Sequence, residues 1–145
     1  MLKGIPKILS PELLKVLSEM GHGDRLVIAD GNFPTQSMGK NVIVVRMDGH
    51  GVPEILDAIL TLFPLDTYVE KPVSLMELVP GDQVETPIWD VYKSIIKKYD
   101  DRGGDAVSQI ERFAFYEEDR KVYLIIATGE SALYANVMLQ KGVVI

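Results

Sequence analysis

Apolar residues fall along this chain in two patterns, one with a helical period of about 3.6 residues and one unbroken or alternating, and the switches between them lay out the elements. Leu13, Leu14, Leu17 and Met20 mark one face of a helix. Ser10-Pro11-Glu12 starts it with a serine cap, a proline at the first helical position and an early acid facing the helix dipole, and Gly21 stops it. Leu26 to Ala29 is an unbroken apolar run that predicts a buried strand, with Asp30 where the strand emerges. Gly31 to Asn41, rich in Gly, Asn, Pro and Ser, reads as a loop.

Val42 to Val45 predicts a second strand. A helix opening at Gly51-Val52-Pro53 carries Ile55, Leu56, Ile59, Leu60 and Phe63 to a stop at Pro64. Val73 to Val79 predicts a third strand, ended by Pro80-Gly81, and Thr86-Pro87 starts a helix with Trp89, Tyr92 and Ile96 on its apolar side. Ala106 to Ile110 and Val122 to Ala127 are further strands, with a short helix carrying Phe113, Phe115 and Tyr116 between them. The tail, Tyr134 to Val144, alternates as a last strand. Strands alternating with helices predict an α/β fold: one three-layer domain over residues 1–145, with a central mostly parallel or mixed sheet flanked by helices.

Composition narrows the function. An apolar fraction of 47% and a charged fraction of 25% are those of a water-soluble globular domain. A net charge of −6 argues against nucleic acid as the partner, since Lys93, Lys97 and Lys98 are spaced as a solvated helix face rather than as a phosphate-binding cluster. With no cysteine there are no disulfides and no thiolate metal sites, and a reducing compartment is expected. Neither a secretory h-region nor a run of membrane-spanning length is present, so the expectation is a cytoplasmic protein without a membrane partner.

The chemistry narrows to few groups. His22 lies in Met20-Gly21-His22-Gly23-Asp24, the tight link between the first helix and the first strand. His22 and Asp30 are expected together on one edge of the sheet, where α/β proteins bind ligands. Alone, His22 reads equally as a turn-shaping histidine, and Asp30-Gly31 as a turn pair; their joint placement favours function. His50, in Asp48-Gly49-His50-Gly51, reads as an exposed turn residue. Two separated histidines without ligand spacing make a poor metal site, so no metal is expected. Arg112 reads as solvated or ion-paired, the neighbouring phenylalanines as core, and Trp89 as core or subunit contact. Tyr134 and Asn136 offer a phenol and an amide near the end of the chain. Gly-x-Gly-x-x-Gly, a lysine-bearing phosphate loop and Gly-x-Ser-x-Gly are all missing. What remains is proton transfer to, or simple binding of, a neutral polyhydroxylated molecule.

Several stretches are shared with one family: Lys3-Gly4-Ile5-Pro6, Leu9-Ser10-Pro11-Glu12-Leu13-Leu14, Met20-Gly21-His22-Gly23-Asp24 and Asn32-Phe33-Pro34. So are Pro64-Leu65-Asp66-Thr67-Tyr68-Val69, Thr86-Pro87-Ile88-Trp89, Arg112-Phe113-Ala114-Phe115-Tyr116-Glu117, Thr128-Gly129-Glu130, Tyr134-Ala135-Asn136 and Lys141-Gly142-Val143. Nearly end to end, the chain resembles the fucose mutarotase / D-ribose pyranase family, and the Arg112-to-Glu117 element points to the fucose branch. The resemblance implies a homodecamer of two pentameric rings, with sites near subunit contacts. It implies interconversion of the α and β anomers of L-fucose without a cofactor, His22 as catalytic acid/base, and Asp30, Arg112, Tyr134, Ala135 and Asn136 as holders of the sugar. Two positions depart from the pattern. Gly31 stands where the familiar motif has alanine, and Ala135 stands where fucose-type members often carry glycine and ribose-type members alanine. D-ribose pyranase chemistry and a non-catalytic monosaccharide-binding oligomer are therefore kept as alternatives. The second proton carrier is left open among Tyr134, a carboxylate and water.

Overall fold

Helix α1 (Pro11–Glu19) starts as its sequence directs. Ser10 Oγ accepts the Leu13 N–H at 3.2 Å, and Leu13, Val16 and Leu17 turn inward. The computed structural model describes residues 1–145. After α1 come β1 (Arg25–Ala29), a single helical turn α2 (Thr35–Met38), β2 (Ile43–Met47) and α3 (Val52–Leu60). The chain continues through β3 (Val73–Met76), α4 (Pro87–Tyr99), a 3₁₀ turn at Gly103–Ala106 and β4 (Val107–Ile110). It closes with α5 (Arg112–Asp119), β5 (Leu124–Thr128) and β6 (Val137–Gln140). No helix is long and apolar enough to cross a membrane.

All six strands join one sheet in the order β2-β5-β1-β6-β3-β4. Five run parallel, and β6 alone runs antiparallel, between β1 and β3. The expected α/β sandwich with a mixed sheet is therefore what forms. Residue-by-residue alternation divides the apolar strands between two faces: Leu26 and Ile28 join a core of 29 buried residues beneath α1, α3 and α4. Val27 and Ala29 join a smaller cluster of 8 beneath α5 and Phe33. An unbroken apolar run is what a strand covered on both faces needs.

Several boundaries differ from the sequence reading. The expected strand over Val73–Val79 stops at Met76, with one further sheet bond from Glu77 N–H to the Ile110 carbonyl at 2.8 Å. The tail is a strand only over Val137–Gln140, because Tyr134 takes left-handed backbone (φ 56) and cannot extend the ladder. Gly142 then lies so close to the Leu65 backbone that a Cβ would come within 2.6 Å of the Leu65 carbonyl oxygen. The Gly31–Asn41 loop contains α2. Phe115 is fully buried as expected, but Phe113 is 65% exposed. Helix α5 covers the sheet with one face only, and Phe113 lies outside it.

One buried group has no partner. Asp119, at the end of α5, is inaccessible, and neither carboxyl oxygen meets a donor. Burial pushes its pKa from 3.8 to about 8, with Arg25 pulling it down and Glu118 pushing it up. The folded chain thus binds more protons at Asp119 than the unfolded chain between those limits. Stability should accordingly fall as pH rises from about 4 to about 8 and level off above. Urea unfolding of Asp119→Asn across this range should show a flatter pH profile and a more stable protein at pH 8. A profile identical to the wild type would remove Asp119 as the cause.

Candidate active site

The carboxyl ends of the parallel strands and the amino end of β6 meet along one edge of the sheet. Asp30 leaves β1 there and is buried. Its N–H donates to Asn136 Oδ1 at 2.7 Å, and its Oδ1 accepts the Asn32 N–H at 3.0 Å. Burial raises the Asp30 carboxyl pKa, against the pull of the Asn32, Ala135 and Phe33 N–H groups. A cavity of about 180 Å³ opens beside it. Asp30, Asn32, Tyr134 and Asn136 supply its polar groups, and Phe33, Met76, Leu133 and the Tyr116 ring supply apolar surface. Hydroxyl-binding groups together with apolar surface suit a monosaccharide, which carries hydroxyls around a C–H face.

The segment ahead of β6 is fastened from several sides. Tyr134 Oη donates to Asp82 Oδ2 at 2.6 Å and accepts the Val79 N–H at 3.2 Å. The Asp82 carboxylate raises the phenol's pKa, while the Val79 N–H and the charge of Arg112 lower it. Trp89 Nε1 donates to the Tyr134 carbonyl at 2.8 Å, and Tyr92 Oη to the Ala135 carbonyl at 2.6 Å. Ala135 is fully buried. Arg112 begins α5, its guanidinium 4.8 Å from the Phe113 ring centroid. It lines a separate cavity of about 230 Å³ between residues 77–80 and 111–113.

His22 is elsewhere. The Gly21–Asp24 link feeds β1 at its amino end, and Asp30 leaves at the other, so the strand separates them by about 17 Å. The expected meeting of His22 and Asp30 on one sheet edge does not occur within the chain, because the two ends of a strand face opposite edges. Instead His22 Nε2 lies 3.1 Å from Asp66 Oδ1. Asp66, almost inaccessible, also accepts the Tyr68 N–H and the Gln140 side-chain amide, each at 2.9 Å. Burial pushes the Asp66 carboxyl up, but the Tyr68 N–H, Gln140 and His22 outweigh it and hold its pKa below the ordinary value. An ionised carboxylate only accepts, so His22 offers Nε2 to it as donor and leaves Nδ1 unpaired. The imidazole is 46% exposed and lies 5.2 Å from the Tyr68 ring, centroid to centroid.

The structure therefore brings Asp30, Tyr134 and Asn136 together around one cavity, with Arg112 beside it, and places His22 with Asp66 on the opposite edge. His50 is a partly exposed turn residue 3.1 Å from Glu54. No group of three or more acidic or histidine side chains is arranged to hold a metal ion. Asp66 was missed as a site residue. Asp66-Thr67-Tyr68 reads as an Asp-initiated turn, but its meeting with His22 depends on the distant Gln140.

Residues 3–144 match the model of the RbsD / FucU transport protein family. The chain belongs to this family. It is 51% identical to a human protein named fucose mutarotase over 98% of this chain and 94% of that protein. Among solved structures, FucU from Bifidobacterium longum shares 71% identity with a TM-score of 0.97, covering 99% of this chain and 100% of that one. The fucose mutarotase from Streptococcus pneumoniae, solved in complex with L-fucose, shares 46% identity at a TM-score of 0.92 with the same coverage. This RbsD / FucU chain thus has a relative with the same fold that holds a monosaccharide.

Replacing Asn136 with alanine in this family member would leave the buried Asp30 N–H without an acceptor. Asn136→Ala should cost about 1–3 kcal/mol in urea unfolding. An unchanged midpoint would mean that another acceptor replaces the amide.

Proposed function

We propose that this chain is an L-fucose mutarotase, an isomerase that exchanges the α and β anomers of L-fucose. The observation that carries the reading is the small cavity at the carboxyl edge, lined by both polar groups and apolar side chains. Kinship over nearly the whole chain to fucose mutarotases, one of them solved with the sugar bound, supports the substrate.

Exchange requires a proton delivered to the ring oxygen and one removed from the anomeric hydroxyl. The bond between C1 and the ring oxygen breaks to give an open-chain aldehyde. Rotation about C1–C2 presents the other carbonyl face, and the hydroxyl oxygen re-adds with the two proton transfers reversed. His22 serves as an acid/base in these transfers through Nδ1, while Asp66 fixes the ring by accepting from Nε2. Asp30, Tyr134 and Asn136 hold the hydroxyls, the buried Ala135 sets the spacing between Tyr134 and Asn136, and Arg112 donates from the adjoining cavity.

Because β1 separates His22 from Asp30, a site using both joins the amino edge of one subunit to the carboxyl edge of the next. Exposed apolar side chains support such a head-to-tail contact: Tyr68 beside His22, and Phe113 and Leu133 beside the cavities. The assembly is the cytoplasmic homodecamer of two pentameric rings implied by the family resemblance.

NMR saturation transfer between the α and β anomeric protons tests the reaction, with D-ribose run beside L-fucose. Strong acceleration for fucose is expected, and none for either sugar would overturn the enzyme reading. His22→Ala should lower the rate roughly 10²–10⁴-fold in a folded oligomer; an undiminished rate would remove His22 from catalysis. Mixing His22→Ala and Asp30→Asn subunits should restore about a quarter of wild-type activity through sites built from two intact halves. No recovery in mixed oligomers would exclude the shared site.

A further inference from the structure

We propose that Trp89 and Tyr92 are positioning residues for the sugar: two buried donors on α4 hold the Tyr134–Asn136 backbone in its sugar-binding shape and so set substrate affinity. The inference rests on the mutarotase reading above and adds residues that touch no substrate.

The backbone at Tyr134 states the problem. It is the one non-glycine residue with positive φ (56°). Left-handed backbone costs such a residue on the order of 1–2 kcal/mol and persists only where its surroundings hold it. The two carbonyls that follow this conformation, those of Tyr134 and Ala135, are the ones the α4 donors take. Both donors are nearly inaccessible, Tyr92 completely so. Burial raises the Tyr92 phenol pKa strongly, so it stays protonated and donates at every physiological pH.

The clamp has a direct line to the cavity. From the same segment, Tyr134 and Asn136 both line the cavity, and Asn136 takes the Asp30 N–H. Releasing either carbonyl lets the backbone relax away from the left-handed turn and withdraws the side chain and amide from the sugar together. His22 lies on the other edge and is fixed by Asp66, so the clamp acts on sugar affinity and leaves proton transfer by His22 alone. Trp89 is also the single tryptophan of the chain, so its fluorescence reports on the bond to Tyr134 without turnover.

The test uses the full-length protein with Tyr92→Phe, which removes one oxygen, and Trp89→Phe, which removes the indole N–H. The control is Tyr99→Phe, which removes the α4 bond from Tyr99 Oη to Asp57, at 2.7 Å, away from the cavity. Saturation transfer over a range of L-fucose concentrations gives KM and kcat, and L-fucose titration of Trp89 fluorescence gives Kd for wild type, Tyr92→Phe and Tyr99→Phe. Each clamp variant should raise KM about tenfold, the effect of losing one good hydrogen bond, with kcat and its pH profile little changed. Kd should rise with KM for Tyr92→Phe, and Tyr99→Phe should match the wild type. Wild-type KM and Kd in Tyr92→Phe would overturn the clamp even if its melting point fell, because a purely structural bond affects stability and not affinity. Equal losses in KM and kcat would overturn it as well. If Trp89→Phe does not fold, Tyr92→Phe decides alone. A wild-type protein that neither exchanges nor binds L-fucose would overturn the mutarotase reading and the clamp with it. Exchange in the wild type with unchanged variants would overturn the clamp only.

Discussion

The antiparallel pairing of β6 with β1 is the constraint on which the rest depends. Its register sets Arg25 opposite Gln140 and Ile28 opposite Val137. The end of one strand therefore lies beside the start of the other, and the ladder is continued past Ile28 by a side chain, from the Asp30 N–H to the Asn136 amide. At the far end it continues through backbone, from Gly23 N–H to the Lys141 carbonyl and from Lys141 N–H to the Asp24 carbonyl, each at 2.8 Å. Gln140, at that end, reaches Asp66 and through it His22. Two neighbouring strands thus carry groups for both edges.

The two carboxylates most closely tied to these edges are driven in opposite directions. Asp30 is pushed toward its neutral form by burial. Asp66 is no less buried, yet three converging donors keep it charged. One edge holds a carboxyl that keeps a proton more readily, and the other holds a fixed anion that orients an imidazole. Environments that separate the titration of like groups are how one fold assigns acid, base and anchor.

Local chemistry made much of this legible. The Ser10-Pro11 cap, the buried run from Leu26 to Ala29 and the emergence of Asp30 followed from propensity and pattern. The direction in which a strand's ends face is not a local property, and sequence alone joins His22 to Asp30 because they flank the same run. The pairing of β6 with β1, and with it Gln140 above Asp66, depends on residues more than a hundred positions apart. Phe113 was misread because hydrophobicity implies burial only where a helix face meets something, and α5 offers one such face. The left-handed turn at Tyr134 cut short a strand that alternation alone had extended.

The position of β6 in the sheet also bears on the order in which the molecule is made. Strands β2, β5 and β1 form one block and β3 and β4 another, and β6 alone links them. That linking strand follows both blocks in the sequence, so during synthesis the two blocks have unpaired inner edges until β6 emerges. Asn136 and Gln140, which hold Asp30 and Asp66 at the two edges, arrive in that same step. A chain cut short before β6 would have its sheet split in two beneath the shared layer of helices.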